Sequence, residues 1–207
     1  MGSSMMHLAV TAELLRSRTL PEPDRLRLGS VLPDYCTGNG HLKLSLTAHK
    51  RTYDLTRFRS LSGARLRTDG LCLGYYLHLV QDLAFRAFVY GEHHFDSSLP
   101  ENVQRLHRDY SLCNAPLAEK YALSPPEIPT DLRGEPVCAI GEFDLAELRT
   151  AMREYFTAPA PREAPFFFTQ KMAEDYIAKA AALCRGELDA LAAGAPLLDE
   201  RQAAWGT

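Results

Sequence analysis

The 207-residue chain lacks any run of about eighteen consecutive apolar residues, the length a helix needs to cross a bilayer, so no membrane span is expected. No basic stretch followed by an apolar one opens it, so no secretory signal is read there. Charge of one sign is lacking too: 23 Lys and Arg stand against 26 Asp and Glu, a net −3. That balance carries no footprint for duplex nucleic acid or an anionic membrane, and strong nucleic-acid binding is not expected. A phosphate-bearing substrate stays open, because a bound cation supplies positive charge that formal counting omits. The cysteines, Cys36, Cys72, Cys113, Cys138 and Cys184, are odd in number and never spaced C-x-x-C. A zinc ribbon and a dithiol redox motif are therefore excluded, and reduced thiols in a cytoplasmic protein are the expectation. G-x-S-x-G, a P-loop and G-x-G-x-x-G are all missing, so esterase, NTPase and dinucleotide readings have no support. A His-Asp dipeptide is absent as well, which removes the signature of the HD-type helical phosphohydrolases.

What is present is an ordinary globular composition, 46% hydrophobic and 24% charged, long enough for one domain with a full core. Met1–Ser4 reads as appended residues ahead of a natural start at Met5 or Met6, leaving one domain over 5–207. Apolar residues recur at helical spacing in His7–Arg18, and Pro23-Asp24 opens a second helix that Pro33 ends, with Asp34 just beyond. Leu42, Leu44 and Leu46 alternate like a short extended piece, with no evident partner strand. A helix over about Tyr53–Leu61 follows. Thr68-Asp69 then caps the longest apolar element, about Gly70–Tyr90, apolar nearly all round and so central and covered. Further helices are expected over Glu101–Tyr121, with a break or kink at Pro116, from the capping box Asp144–Glu147 through Phe156, and over Thr169–Leu191. "LSPPEIPTDLRGEPV" and "TAPAPREAPFFF" are proline-rich connections. With no βαβ alternation and no repeat, the fold class is all-α, a single-domain bundle of six or seven helices around a buried central one.

Within that central helix lies "GYYLHLVQD". His78 and Asp82 are four residues apart, so they share a helix face with Cβ atoms about 6 Å apart. Either they are a hydrogen-bonded core pair, or they hold a divalent cation such as zinc. A carboxylate in so apolar a helix needs more compensation than His78 alone. His7 in the first turn of helix one, Asp34 after Pro33 and His49 at the end of the polar loop are the other candidates. His41, in a Gly-rich loop, reads as exposed. Glu92 and His93, after the long helix, are either substrate contacts or a solvated helix end. His107 and Asp109 read as surface contacts or supports of the site, and Tyr35, Tyr75 and Tyr76 as aromatic core.

In order, "HLAVTAELL", "LGSVLPDY", "LTAHKRTYDLTRF" and "LGYYLHLVQDLAF" resemble the bacterial zinc-dependent phospholipase C family, whose all-helical fold is shared with S1/P1-type nucleases. The resemblance spans about Met6–Phe95. It implies that His7, Asp34, His49, His78 and Asp82 are metal ligands, with Asp82 able to bridge two ions. The chain departs from the family in having no amino-terminal tryptophan before the first ligand and no later H-x-x-x-E pair, which points to one or two ions rather than three.

The expected function is a zinc-dependent hydrolase of a small-molecule or lipid-like phosphate ester. Zinc brings the pKa of a bound water to about 7, and the hydroxide attacks phosphorus, with Asp34 as ligand or as the base orienting that water. Two alternatives stand beside it. One is a non-catalytic helical domain with a structural or ligand-binding metal site; the other is a zinc hydrolase acting on a non-phosphate small molecule.

Overall fold

A computed structural model describes residues 2–159, 161, 163–195 and 197–206. Met1, and Ala160 and Arg162 of the second proline-rich connection, lie outside the described residues. Among the described residues, seven α-helices carry most of the structure: α1 Ser4–Ser17, α2 Pro23–Gly29, α3 Leu55–Ser62, α4 Gly70–Arg86, α5 Pro100–Tyr121, α6 Leu145–Thr157 and α7 Gln170–Ala193. Their apolar faces close on one continuous buried cluster. The all-α expectation holds at this level.

α4 is the axis. The Asp69 carboxylate caps it, accepting from the N–H groups of Leu71 and Cys72. Every residue from Gly70 to Leu83 is buried, because α2, α7, α1 and α3 pack around it. α2 crosses α4 at backbone contact. A Cβ built on Gly74 would lie 2.2 Å from the Leu26 carbonyl oxygen, and one on Gly29 2.3 Å from that of Leu71. Only a pair of glycines permits this approach, and it brings the end of α2, Ser30, against the side chain of His78.

Five local expectations are corrected. The extended piece does have partners: β1 Lys43–Thr47 pairs antiparallel with β2 Lys50–Tyr53, which pairs with β3 Trp205–Gly206. β3 comes from the far end of the chain, so local sequence gives no hint of it. α3 accordingly begins at Leu55, capped by Asp54. α5 runs unbroken through Pro116, since Leu106, Tyr110, Cys113 and Leu117 bury one face along its length and packing outweighs the lost backbone bond. α1 starts at Ser4 with the Ser3 hydroxyl as its cap, which sets His7 one turn inside the helix. Pro33 falls inside a single 3-10 turn, Leu32–Tyr35, so Asp34 is held in that turn.

Other expected features are met as read. The Asp144 carboxylate caps α6 through the N–H groups of Ala146 and Glu147. α4 continues past Arg86 as one π-helical turn, Ala87–Glu92. Asp109, read as a surface contact or a support of the site, is instead buried on α5, where it accepts the N–H groups of Phe166, Phe167 and Phe168 at 2.7–2.8 Å and ties the second connection to the bundle.

Gly74→Ala tests the α2–α4 crossing. The added methyl must push two backbones apart, and a loss of about 3 kcal/mol or more in unfolding free energy is expected by urea titration. A loss under about 0.5 kcal/mol, as for a surface change, would contradict the close approach.

Candidate metal centre

Four chain segments deliver ligand-type atoms to one point beside α4. His78 and Asp82 come from α4, His7 from α1, Asp34 from the 3-10 turn after α2, and His41 from the loop before β1. His7, His78 and Asp82 are fully buried. His41 Nε2 lies 3.2 Å from Asp34 Oδ1, 3.2 Å from His78 Nε2 and 3.4 Å from Asp82 Oδ2. His78 Nε2 lies 3.6 Å from Asp82 Oδ2 and 3.8 Å from Asp34 Oδ1. Donors about 2.0–2.1 Å from a tetrahedral ion are about 3.3 Å from one another, so these separations have the size of one coordination shell. His7 Nε2 stands 3.6 Å from the other oxygen, Asp82 Oδ1, which also accepts the Gly2 N–H at 3.1 Å.

The protons are too few for these atoms to satisfy each other. His78 Nδ1 donates to the Ser30 carbonyl at 2.8 Å, and His7 Nδ1 to Gln81 Oε1 at 3.0 Å. In their neutral forms both rings therefore aim an Nε2 lone pair inward. One proton on His41 Nε2 would face three acceptors. Asp82 Oδ2 and His7 Nε2 are buried without a hydrogen-bond partner. Such groups are costly unless a cation sits among them. The donor set of imidazole nitrogens and carboxylate oxygens suits zinc or a similar divalent ion.

The electrostatics keep both carboxylates ionised. Burial opposes ionisation of Asp82, yet the imidazoles of His78 and His7 hold its carboxyl well below the usual range. Asp34 is lowered in the same way against its own burial, chiefly by His78 and His41. His78 is raised, the two carboxylates outweighing its burial. His7 is pushed down to about 4, by burial first and by the neighbouring His78 second. A ring that resists protonation beside ionised carboxylates is ready to ligate.

Of the residues singled out from sequence, the fold brings together His7, Asp34, His78 and Asp82. It does not bring His49, which is exposed on the turn between β1 and β2, where strand pairing carries it off with its N–H on the Thr47 hydroxyl. His41, read as exposed, is buried in its place. The signal was the glycine beside it. A Cβ on Gly40 would lie 2.4 Å from the Cys36 Cβ and 2.7 Å from the Pro33 carbonyl oxygen, so only glycine lets the loop fold back. The Tyr75 hydroxyl pins the Gly40 carbonyl there at 2.6 Å. Gln81, three residues after His78 and one before Asp82, was also missed. Glu92 and His93 are corrected as substrate contacts: both are exposed, Glu92 is paired with Lys179, and His93 packs edge-on against Phe88.

Asp34 alone of the five residues both belongs to the cluster and lines a cleft, of about 360 Å³, bounded by Tyr35, His107, Asn114, Glu147 and Tyr155 among others. No lysine or arginine is among the cleft's described lining residues. A larger groove of about 860 Å³, between residues 130–134 and the start of α6, holds none of the five. No protein-family model, curated protein or solved structure matches this chain.

The exchange of His49 for His41 is testable. His41→Ala is expected to weaken zinc binding by at least about 100-fold, and His49→Ala to leave it unchanged, by titration against a competing chelator. The reverse ranking would return the site to the sequence-based ligand set.

Proposed function

We propose that this chain is a metal-dependent hydrolase, with zinc as the ion and a phosphate ester as the substrate. The observation that carries the reading is the position of Asp34, which joins a buried, under-protonated ligand cluster to an open cleft. Bound there, zinc supplies an acidic water and a positive charge for phosphoryl oxygens. His41 Nε2, His78 Nε2 and Asp82 Oδ2 are the atoms assigned to the ion. Asp34 Oδ1, at the mouth, is assigned to orient a water and take its proton. His7 Nε2, 3.6 Å from the second oxygen of Asp82, stands on the far side of that carboxylate as a further donor. The resemblance to zinc-dependent phospholipases C, in the order of the motifs carrying His7, Asp34, His78 and Asp82, supports the same reaction class and the same helical frame. The scattered, unpaired cysteines support a cytoplasmic setting.

The cleft's composition bears on the substrate. Without a described lysine or arginine, its walls offer no second cation for a dianion, and Asp34 and Glu147 repel one. Singly charged phosphodiesters fit better than phosphomonoesters. One observation favours a non-catalytic alternative: if Asp34 also ligates, four protein donors close a tetrahedral shell, the arrangement of structural zinc sites.

Two substitutions separate these readings. Asp82→Asn is expected to lose metal and hydrolysis together. Asp34→Asn is expected to keep about one equivalent of zinc while phosphodiester hydrolysis drops by about 100-fold or more. Full metal content in Asp82→Asn, measured by mass spectrometry, would remove the metal assignment. Zinc lost with Asp34, and no turnover of any phosphate ester by the parent protein, would make the site structural.

A further inference from the structure

The net charge of −3 conceals an uneven distribution. Residues 43–67 hold Lys43, Lys50, Arg51, Arg57, Arg59, Arg65 and Arg67 against one acid, Asp54. These residues form the β1–β2 hairpin, α3 and the 3-10 turn Gly63–Arg67, which packs on α3. Arg59 turns inward to Glu187 and Glu200. Lys43, Lys50, Arg51, Arg57, Arg65 and Arg67 are exposed, and none forms an ion pair among the described residues. Asp54 is spent on capping α3 at the Arg57 N–H. Elsewhere several exposed cations find acids, as in Arg16–Glu13, Lys171–Asp175 and Lys179–Glu92. The one exposed acid on the adjoining carboxy-terminal segment, Asp199, bonds the N–H of Arg201 and the amide of Gln202.

An apolar group stands within this cationic face. Leu61 is 45% exposed, one of three large apolar side chains left open among the described residues. It follows Arg57 by four residues on α3, so the two share a helix face, and Arg65 comes four residues later in the turn that continues it. A leucine beside an arginine on one exposed helix face, with two more arginines in the turn that follows, suits a surface that touches a bilayer, apolar tip into the interface and cations on headgroups. Single-stranded nucleic acid would call for exposed aromatic rings to stack on. The face offers little for stacking: Tyr53 and Phe58 are buried, and Trp205 is half-buried with the Arg86 guanidinium 3.9 Å over its ring.

We propose that this face docks on an anionic lipid surface through Arg57, Arg65 and the hairpin cations, with Leu61 entering the interface. The proposal is independent of hydrolase activity, because binding is read without turnover. The test is co-sedimentation of the full chain with vesicles of phosphatidylcholine alone and of phosphatidylcholine with phosphatidylserine. Binding is expected only to the second, falling steeply between about 0.1 M and about 0.5 M salt. Joint replacement Arg57→Glu with Arg65→Glu is expected to cut it by at least about tenfold. Leu61→Ser is expected to lower binding by a similar factor at both salt concentrations, with the melting temperature unchanged because the side chain is exposed. No sedimentation, equal sedimentation with neutral vesicles, or retention of full binding by the double variant would overturn the proposal. So would capture of single-stranded nucleic acid in place of vesicles.

Discussion

The buried charge of Asp82 organises this molecule. It sits at zero exposure on a helix that is apolar almost all round, where an uncompensated carboxylate would cost several kcal/mol. The surrounding structure meets that demand from three directions. α1 presents His7, the loop before β1 folds back with His41, and α2 ends in a carbonyl that turns the His78 ring. Each depends on a tight local geometry. The α2–α4 crossing needs Gly29 and Gly74, and the return of the loop needs Gly40. Nothing in this arrangement works through a single strong contact. It works because several short backbone approaches point a few polar atoms at the same place.

What could be read without the structure follows from the range of the interactions involved. Spacing of four on α4 put His78 and Asp82 on one face. The aspartate caps of α4 and α6 announced where those helices start. The all-round apolarity of α4 announced that it is central. These signals are local. His41 and His49 show where such reading stops. Both are histidines near polar loop residues, and the choice between them rests on which direction the chain takes after Gly40. That direction is set by contacts with Pro33, Cys36 and Tyr75, and the pairing that removes His49 includes a strand at Trp205–Gly206. Pro116 shows the converse: a strong local signal for a break, overridden by packing along α5.

The two regions of unusual electrostatics differ in kind. In the buried centre, carboxylates and imidazoles outnumber the protons available to join them, and an ion of compact positive charge fits. On the outer face of the hairpin and α3, cations stand without acids, and an extended anionic surface fits. Average charge conceals both. Together they give a chain whose Asp34 cleft reaches the buried ligands, and whose most basic segment is the hairpin, α3 and the turn after it.

The central claim is that this cluster of side chains holds an ion and does not merely bond to itself. The most direct test is a crystal of zinc-loaded protein with diffraction recorded on both sides of the zinc absorption edge. One anomalous peak, within about 2.0–2.3 Å of His41 Nε2, His78 Nε2 and an Asp82 oxygen, is the predicted result. An empty map at this position, with the imidazoles and carboxylates in direct hydrogen bonds, would show that the cluster is a protonated core network and contradict the account.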